Sequence, residues 1–589
     1  MNSLTQELSG VLGEAFAACG LDAGYGKVAP SDRPDLCQFQ CNGAMAAAKQ
    51  ARKNPALVAA AVVEAIKDPA IFEAITVAGP GFINLTLTDA FLARFVQRMA
   101  DDERFGCRVV AEPQTVMVDY GGANIAKPLH VGHLRSAIIG ESLKRLARFV
   151  GHRVIGDIHM GDWGLQMGMI ISEMARRQPE LPYFDPQFTG PYPEDPPFTI
   201  SDLEEIYPAV SQLAKTDEQV LEAARQATFE LQNGRPGYRA LWQHIFNVSV
   251  ADLQGDYQRL NIQFDLWLGE SDAQPLIPAM VERLRAEGLA KLSEGALVIE
   301  VAEADDKKEL PPLILTKSDG AYLYGTTDLA TIAQRVRDYQ PELILYVVDK
   351  RQADHFVQVF RSAYKTGIAP ETLRMEHIGF GTMNGPDGRP FKTRAGGVMK
   401  LKDLIAMITE KALEKVQNSE LASELDPEQM LELAQTIGVA TLKFADLMNH
   451  RLKDYLFDLE RFSVFEGCTG PYHLYVAVRI NSILKKAAAK GLSAGPMLAP
   501  AGPEERDILL KLVEFPDVIF AAFEQRSPNY LCDYLYQLAS AFTRFYHQYR
   551  ILTEPDPARQ ASWLQLSQTV LAVLRQTLDI LGMEVPERM

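Results

Sequence analysis

The chain has 589 residues, 47% of them hydrophobic and 23% charged, and carries 76 acidic against 59 basic side chains for a net charge of −17. Such a length supports several hydrophobic cores, and about three or four domains are expected. The acidic excess argues against a protein that coats nucleic acid or membrane non-specifically, since phosphate affinity rises with the cations presented; a nucleic-acid partner read by local patches stays open.

The six cysteines (Cys19, Cys37, Cys41, Cys107, Cys468, Cys532) are scattered. Only Cys37 and Cys41 are close, at a spacing that suits neither a zinc ribbon nor a C-x-x-C redox pair, so reduced thiols and no tightly bound metal are expected. No apolar stretch reaches the roughly 18 residues that span a bilayer, and "MNSLTQELSG" lacks the basic-then-apolar pattern of a secretory signal. A cytoplasmic monomer with no membrane partner is the expectation.

Residues 1–107 read as a small α/β domain: helix-like "MAAAKQARKN", then a Gly-Pro-Gly turn and a strand in which Ile83, Leu85 and Leu87 alternate with Asn84 and Thr86. From Thr115 the pattern is strand ("TVMVDY"), loop, helix (Leu134 to Val150), strand ("RVIGDI"). Leu134, Ile138, Ile139, Leu143, Leu146, Ala147 and Val150 recur at spacings of three and four, which predicts one buried helix face. A strand, a crossover helix and a second strand in so little chain point to a parallel sheet of the nucleotide-binding kind, assigned here to residues 115–403.

The proline-rich "LPYFDPQFTGPYPEDPPF" cannot form a helix or a central strand, and it opens a mostly helical insertion at about 181–265. The sheet is expected to resume with "LPPLILTKSDGAYLYGTTD", whose Asp319-Gly320 pair is a hairpin signal, and with "PELILYVVD", apolar enough to be buried on both faces. A helical connector at 404–464 and an α-helical bundle at 465–589 follow, the latter with Val476, Ile480, Ile483 and Ala487 on one face. The expected fold class is α/β: a Rossmann-type parallel-sheet domain, an added N-terminal α/β domain and a C-terminal all-α bundle.

The loop "VDYGGANIAKPLHVGH" places His130, Gly132 and His133 between a parallel strand and the next helix. That is the carboxyl edge of a sheet, where a helix amino terminus presents unpaired N–H groups and partial positive charge to phosphates. Gly132 lets a flat base approach the backbone. The imidazoles can donate hydrogen bonds to phosphate oxygens as charge develops, and Lys127 adds a cation to the same loop. Taken alone, the tetrapeptide is equally a capping or turn arrangement.

"ANIAKPLHVGHLRS" resembles the H-I-G-H signature of class I aminoacyl-tRNA synthetases, in the form found in the arginyl-tRNA synthetase family, where N-I-A-K-P precedes the histidines. The likeness extends over nearly the whole chain, through "CQFQCNGAMAAAKQ", "AGPGFINLTL", "GDWGLQMGMII", "DLWLGES", "GRPFKTRAGG", "TGPYHLYVAVRI" and the terminal "EVPERM". The resemblance implies a catalytic Rossmann-type domain, an N-terminal domain touching the tRNA elbow and a C-terminal anticodon-binding bundle. It implies that arginine and ATP, accompanied by magnesium, yield arginyl-adenylate and pyrophosphate, and that the arginyl group then passes to tRNA(Arg). Family members generally need tRNA even for the first step.

By the same resemblance Lys127, His130, His133 and Lys392 are catalytic, and His130, Gly132, His133, Gly161 and Lys392 bind ATP. The family's second signature, K-M-S-K-S, is degenerate here: Thr393 stands where the second lysine would be, and Lys127 is the implied substitute, with Lys392 assisting. Electrostatics permits the exchange, because a cation near the phosphates matters more than its place in the chain.

A guanidinium is planar and permanently charged, so a selective pocket must offer carboxylate or amide oxygens in its plane. The family's arginine contacts fall on Asp119, Asn124, Tyr324, Asp328 and Gln352, all read as lying at or just after strand ends. Asp119 and Asn124 are assigned to the α-amino end, Tyr324 and Asp328 to the side-chain end. Each has a plainer reading: Asp328 as a helix-start acid, Tyr324 as strand core, Gln352 as a solvated loop residue. Asp119 stands where the family often has glutamate, which shortens its reach. By the resemblance "MGDWGLQMG", with Gly161, Trp163 and Gln166, belongs to the active-site floor; its plainer reading makes Trp163 core and the glycines turns, and a mixed role is expected, while His159 is read as structural.

For tRNA, the bundle offers Arg479, Lys485, Lys486 and Tyr472, with Tyr475, Tyr546 and Tyr549 nearby; rings interleaved with cations suit stacked single-stranded bases, though the same rings also suit helix packing. The competing assignments are another class I synthetase, a small adenylyltransferase, or a non-catalytic tRNA-binding paralogue. A cysteinyl type would want a zinc site, the branched-chain types a larger insertion, and a small adenylyltransferase would lack the helical tail.

Overall fold

The computed structural model describes residues 1–33, 35–318, 320–385, 387–389 and 399–589. The chain packs into two compact units, 1–110 with 465–579 and 584–589, and 111–464 with 580–583.

In the first unit, strands Val28–Pro30 (β1), Phe39–Cys41 (β2), Phe72–Ala78 (β3) and Phe82–Leu87 (β4) form an antiparallel sheet in the order β1-β2-β4-β3. The alternation in β4 has its expected consequence, with Ile83, Leu85 and Leu87 fully buried. Helix Leu4–Ala18 opens with a reciprocal cap between Ser3 and Gln6. Helices Gly470–Ala489, Pro503–Glu524, Asn529–Gln548 and most of Pro557–Ile580 share this unit. Two buried-edge contacts join the ends of the chain: Thr5 Oγ1 donates to Asp517 Oδ2 at 2.7 Å, and Arg506 Nε to Asp89 Oδ1 at 2.6 Å.

The second unit is built on Thr115–Asp119 (β5), Arg153–Met160 (β6) and Leu266–Gly269 (β7), then Lys291–Ser293 (β8), Ala296–Ile299 (β9), Leu313–Thr316 (β10), Leu343–Tyr346 (β11) and Arg374–His377 (β12). A five-stranded parallel sheet runs β12-β11-β5-β6-β7, with Leu343 opposite Val116 and Thr115 opposite Arg153. Val116, Met117 and Val118 of β5 and all of β11 are buried, as an unbroken apolar run on a doubly covered sheet requires. One face packs Met117, Ile344 and Tyr346 against Leu329, Ile332, Phe356, Val359 and Ile277 from the covering helices. Between β6 and β7 the chain forms helices Ile200–Leu213, Glu218–Gln232 and Pro236–Arg259.

Two expectations need correction. The segment carrying β10 does not rejoin the parallel sheet; it pairs antiparallel with β9 in a separate three-stranded sheet, and the turn after it is closed by the Lys317 N–H donating to the Ala321 carbonyl at 2.9 Å and by an antiparallel bridge from Thr316 to Tyr322. Asp319 lies outside the described residues. Helix Val131–Phe149 is also not buried on one face alone: Arg135, Glu141 and Lys144 are at most 2% exposed. Burial of these charges is compensated by pairing, Arg135 with Asp446 at 2.8 Å and Glu141 with both Lys144 and Arg145 at 2.8 and 2.7 Å.

Candidate active site

Between the end of β5 and helix Val131–Phe149 the chain crosses the carboxyl edge of the sheet as the loop 120–130. Three elements hold this loop. Ser136 Oγ accepts from the Gly121 N–H at 2.8 Å and donates to the Val347 carbonyl at 2.6 Å. The Gln166 side-chain amide donates to the Ile125 carbonyl. Ala126 sits in the left-handed region at φ 58°, and its N–H is received by Ser249 Oγ at 2.9 Å. A non-glycine residue in that region is strained, so helix Pro236–Arg259, which carries Ser249, helps impose the conformation just ahead of Lys127.

His130 caps the helix. Its Nδ1 accepts from the Gly132 N–H at 3.0 Å, and its own N–H donates to His133 Nδ1 at 3.1 Å. The two rings lie 3.8 Å apart. Gly132 belongs there because a Cβ would come within 2.7 Å of the His130 ring. Burial, then the charge of Lys127, lowers the His130 pKa; burial, then His130, pushes His133 down to about 3. Both rings are neutral at pH 7, and with each Nδ1 occupied as an acceptor the proton resides on Nε2, which is left to donate.

A cavity of about 480 Å³ opens beside this pair. It is lined by Asp119, Asn124, Gly132, His133, Gly161, Tyr324, Asp328 and Gln352, so eight of the residues singled out from the sequence meet at one place. The size suits a small charged metabolite. Asn124 is set by a parallel bridge to Gly161, with the Ile125 N–H donating to the Gly161 carbonyl at 3.2 Å and the Gly161 N–H to the Ala123 carbonyl at 3.0 Å. A Cβ at position 161 would fall 2.2 Å from Asn124 Oδ1. Asp119 is not a free carboxylate: Arg335 Nη2 bridges it at 2.7 Å to the fully buried Asp157 at 2.6 Å. Two carboxylates around one guanidinium leave a net negative charge at the end of β5 and β6, favourable to an ammonium.

Tyr324 and Asp328 do not follow a strand; they occupy the first turns of helix Tyr324–Tyr339. Tyr324 is 67% exposed, with its ring 4.8 Å from that of His355, rather than packed in a strand core. Asp328 Oδ2 is 2.6 Å from His355 Nε2. Gln352 closes the short turn Lys350–Gln352 and is exposed.

Four lining residues had no assigned role in the sequence reading or a different one. Glu270 follows β7 directly, and burial, then Asp162 and Asp328, pushes its carboxyl up to about 7. Asp162 behind it is held by the Ser271 N–H and hydroxyl at 2.9 and 2.5 Å. Arg335 and His355 line the same cavity. His159, read as structural, lines it too, with Nε2 3.3 Å from Thr331 Oγ1. An acid directly after a parallel strand, in "LGES", was the available signal for Glu270; nothing local marked Arg335. Trp163 is buried against Trp242, 5.2 Å between rings.

Lys127 and His130 lie off the cavity lining. Lys127 Nζ sits 4.3 Å from the centroid of the Tyr207 ring. Lys392 and Thr393 lie outside the described residues. The chain just beyond them pairs with the histidine loop: Val131 N–H donates to Met399 O at 3.2 Å and Leu401 N–H to Leu129 O at 2.8 Å.

The four tRNA candidates belong to the other unit, on helix Gly470–Ala489. Lys485 and Lys486 are exposed. Arg479 donates to Tyr475 Oη and lies 4.4 and 5.5 Å from the centroids of Tyr475 and Tyr546. Tyr472 is half-buried, its hydroxyl 3.2 Å from Thr543 Oγ1.

Residues 96–459 match the family model for the class I tRNA synthetase (R) catalytic domain, 473–589 that for the DALR anticodon binding domain, and 2–87 that for the arginyl tRNA synthetase N terminal domain. The chain is 53% identical to the arginine–tRNA ligase of Alkaliphilus oremlandii and 50% identical to that of Maricaulis maris, with 100% of both chains covered in each case. Its fold is similar to the solved arginyl-tRNA synthetases of Plasmodium falciparum (TM-score 0.80, 24% identity) and Thermus thermophilus (TM-score 0.79, 22% identity), again over 100% of both chains. Identity of this order along the full length, and a catalytic-domain model spanning more than half the sequence, establish that the chain belongs to the arginyl-tRNA synthetase family.

Proposed function

We propose that the chain is an arginine–tRNA ligase. The observation that carries the reading is one cavity lined both by the carboxylates Glu270 and Asp328 and by Asn124, Gly132 and His133. Glu270 and Asp328, with Tyr324 and Gln352 beside them, receive the forked guanidinium of L-arginine. Asn124 and the net negative charge of the Asp119–Arg335–Asp157 bridge receive its α-ammonium. A carboxylate oxygen of arginine then attacks the α-phosphorus of ATP, the bond to the β-phosphate breaks and pyrophosphate leaves. His130 and His133 donate from Nε2 to phosphate oxygens as negative charge builds, and Lys127, with Lys392, supplies the positive charge. Magnesium enters with ATP as the counter-ion of its phosphates.

In the second step a hydroxyl of the terminal adenosine of tRNA(Arg) attacks the arginyl carbonyl and AMP departs. Residues 115–403 carry both steps on this reading, with the insertion at about 181–265 and the connector at 404–464. The domain at 1–107 meets the tRNA elbow and 465–589 the anticodon, where Arg479, Lys485, Lys486 and Tyr472 are placed and Tyr546, 37% exposed beside Arg479, offers a stacking face. On this reading the protein acts as a monomer in the cytoplasm, alongside the tRNA it charges.

The test is exchange of labelled pyrophosphate into ATP with each amino acid in turn, with and without bulk tRNA. Arginine- and tRNA-dependent exchange is the expected result; exchange driven by another amino acid refutes the specificity, and none with any amino acid refutes the activity.

A further inference from the structure

Helix Ile200–Leu213 of the insertion begins at Thr199 with a reciprocal cap to Asp202. One turn apart on this helix, Glu204 and Tyr207 meet cations from two distant parts of the chain. Glu204, its side chain 11% exposed, pairs with Lys400 Nζ at 2.6 Å and Lys402 Nζ at 3.3 Å. Tyr207 lies under Lys127, 4.3 Å from ring centroid to Nζ. Lys127 leads into the histidine loop, and Lys400 forms an antiparallel bridge with His130 itself. A single face of one inserted helix therefore reaches cations on both sides of the histidine pair.

The two contacts differ in kind. Glu204 cancels one of the two positive charges it holds. An aromatic ring attracts an ammonium through its quadrupole and leaves the unit charge intact. Lys127 makes no ion pair among the described residues. The nearby acids of helix Pro236–Arg259 are engaged elsewhere, Asp256 with Arg259 at 2.8 Å and Asp252 facing Lys402 and Glu204. Helix periodicity thus sets a carboxylate against Lys400 and Lys402 and a neutral ring against Lys127, whose charge the phosphates need.

We propose that Tyr207 is a positioning residue for adenylate formation, holding the Lys127 ammonium extended beside the ATP phosphates without neutralising it. The proposal rests on the reading of Lys127 given above. It makes the helical insertion part of the reaction machinery.

Arginine- and tRNA-dependent pyrophosphate exchange by the full chain, with thermal melting as a control for folding, tests it in Tyr207→Phe, Tyr207→Leu and Tyr207→Glu. Tyr207→Phe retains the ring and retains kcat. Tyr207→Leu lowers kcat about fivefold with KM for arginine unchanged, the scale of one lost cation–π contact. Tyr207→Glu lowers kcat further, because its carboxylate neutralises Lys127. Wild-type kcat in the Leu variant, or equal losses in the Phe and Leu variants, overturns the proposal. Should the Leu variant fail to fold, the contrast between Phe and Glu decides it: equal kcat overturns it. Lys127→Met separates the two layers. If that variant keeps wild-type kcat, the reading of Lys127 itself falls; if it loses kcat while Tyr207→Leu does not, the Tyr207 proposal alone falls.

Discussion

In the free chain Glu270 holds its proton up to about pH 7, because burial and then the carboxylates of Asp162 and Asp328 disfavour its charged form. A guanidinium in the cavity reverses that balance, since it pairs with the ionised carboxylate only, and its arrival expels the proton. Above pH 7 the group is already ionised and affinity for arginine is insensitive to pH. Below pH 7 each further pH unit weakens binding by about 1.4 kcal/mol. From pH 8 down to pH 6 the Kd for L-arginine therefore rises about tenfold. Calorimetric titration in two buffers of different ionisation enthalpy reads both quantities, with about 0.9 proton released per arginine at pH 6 and about 0.1 at pH 8. Glu270→Gln removes the titrating group, flattens the profile and weakens binding at pH 8 by about 1.5–3 kcal/mol, the value of a hydrogen bond to a charged group. Asp328 stays paired with His355 in that variant, so the change isolates Glu270. A wild-type Kd equal at pH 6 and pH 8, or a Glu270→Gln profile as steep as the wild type, would refute the reasoning.

Three further outcomes follow from the geometry. His133→Ala lowers the exchange rate about 10²- to 10³-fold, the usual effect of losing a donor aimed at developing charge, without lowering the melting temperature appreciably. Because His133 is held near pH 3, the wild-type rate shows no limb from that imidazole between pH 6 and pH 8, and a limb abolished by the alanine change would contradict this. Gly161→Ala pushes a methyl against Asn124 Oδ1 and raises KM for arginine about tenfold in a folded protein; an unchanged KM removes Asn124 from the arginine contacts. Arg335→Met leaves the fully buried Asp157 uncompensated and destabilises the chain by about 3–5 kcal/mol, read from denaturant unfolding, and a loss below about 1 kcal/mol would show that the bridge has little weight.

Residue patterns alone determined the fold class and the family. Parallel strands covered on both faces demand unbroken apolar runs, which β5 and β11 have, and a loop from strand to helix must lie at the carboxyl edge, wherever the rest of the chain goes. The histidine loop was legible for that reason. The segment "YLYGTTD" was not: its aromatic and β-branched residues favour a strand locally, yet packing against β10 and helix Ala353–Lys365 makes it a helix start, carrying Tyr324 and Asp328 with it.

What only tertiary structure decided is the partnership of buried charges. Periodicity treats Arg135, Glu141 and Lys144 as solvent-facing, because it registers polarity and cannot register that helix Pro427–Leu447 will bring Asp446 to Arg135, or that Tyr120 and the Gln263 carbonyl will meet Glu141 and Lys144. Arg335 lies 216 residues from Asp119 and 178 from Asp157, and no local pattern links them. Glu270 acquires its raised pKa, and Lys127 its aromatic partner, from chain that arrives from elsewhere. A charge in a folded protein answers to distance and burial, and both are properties of the packed molecule rather than of the order of its residues.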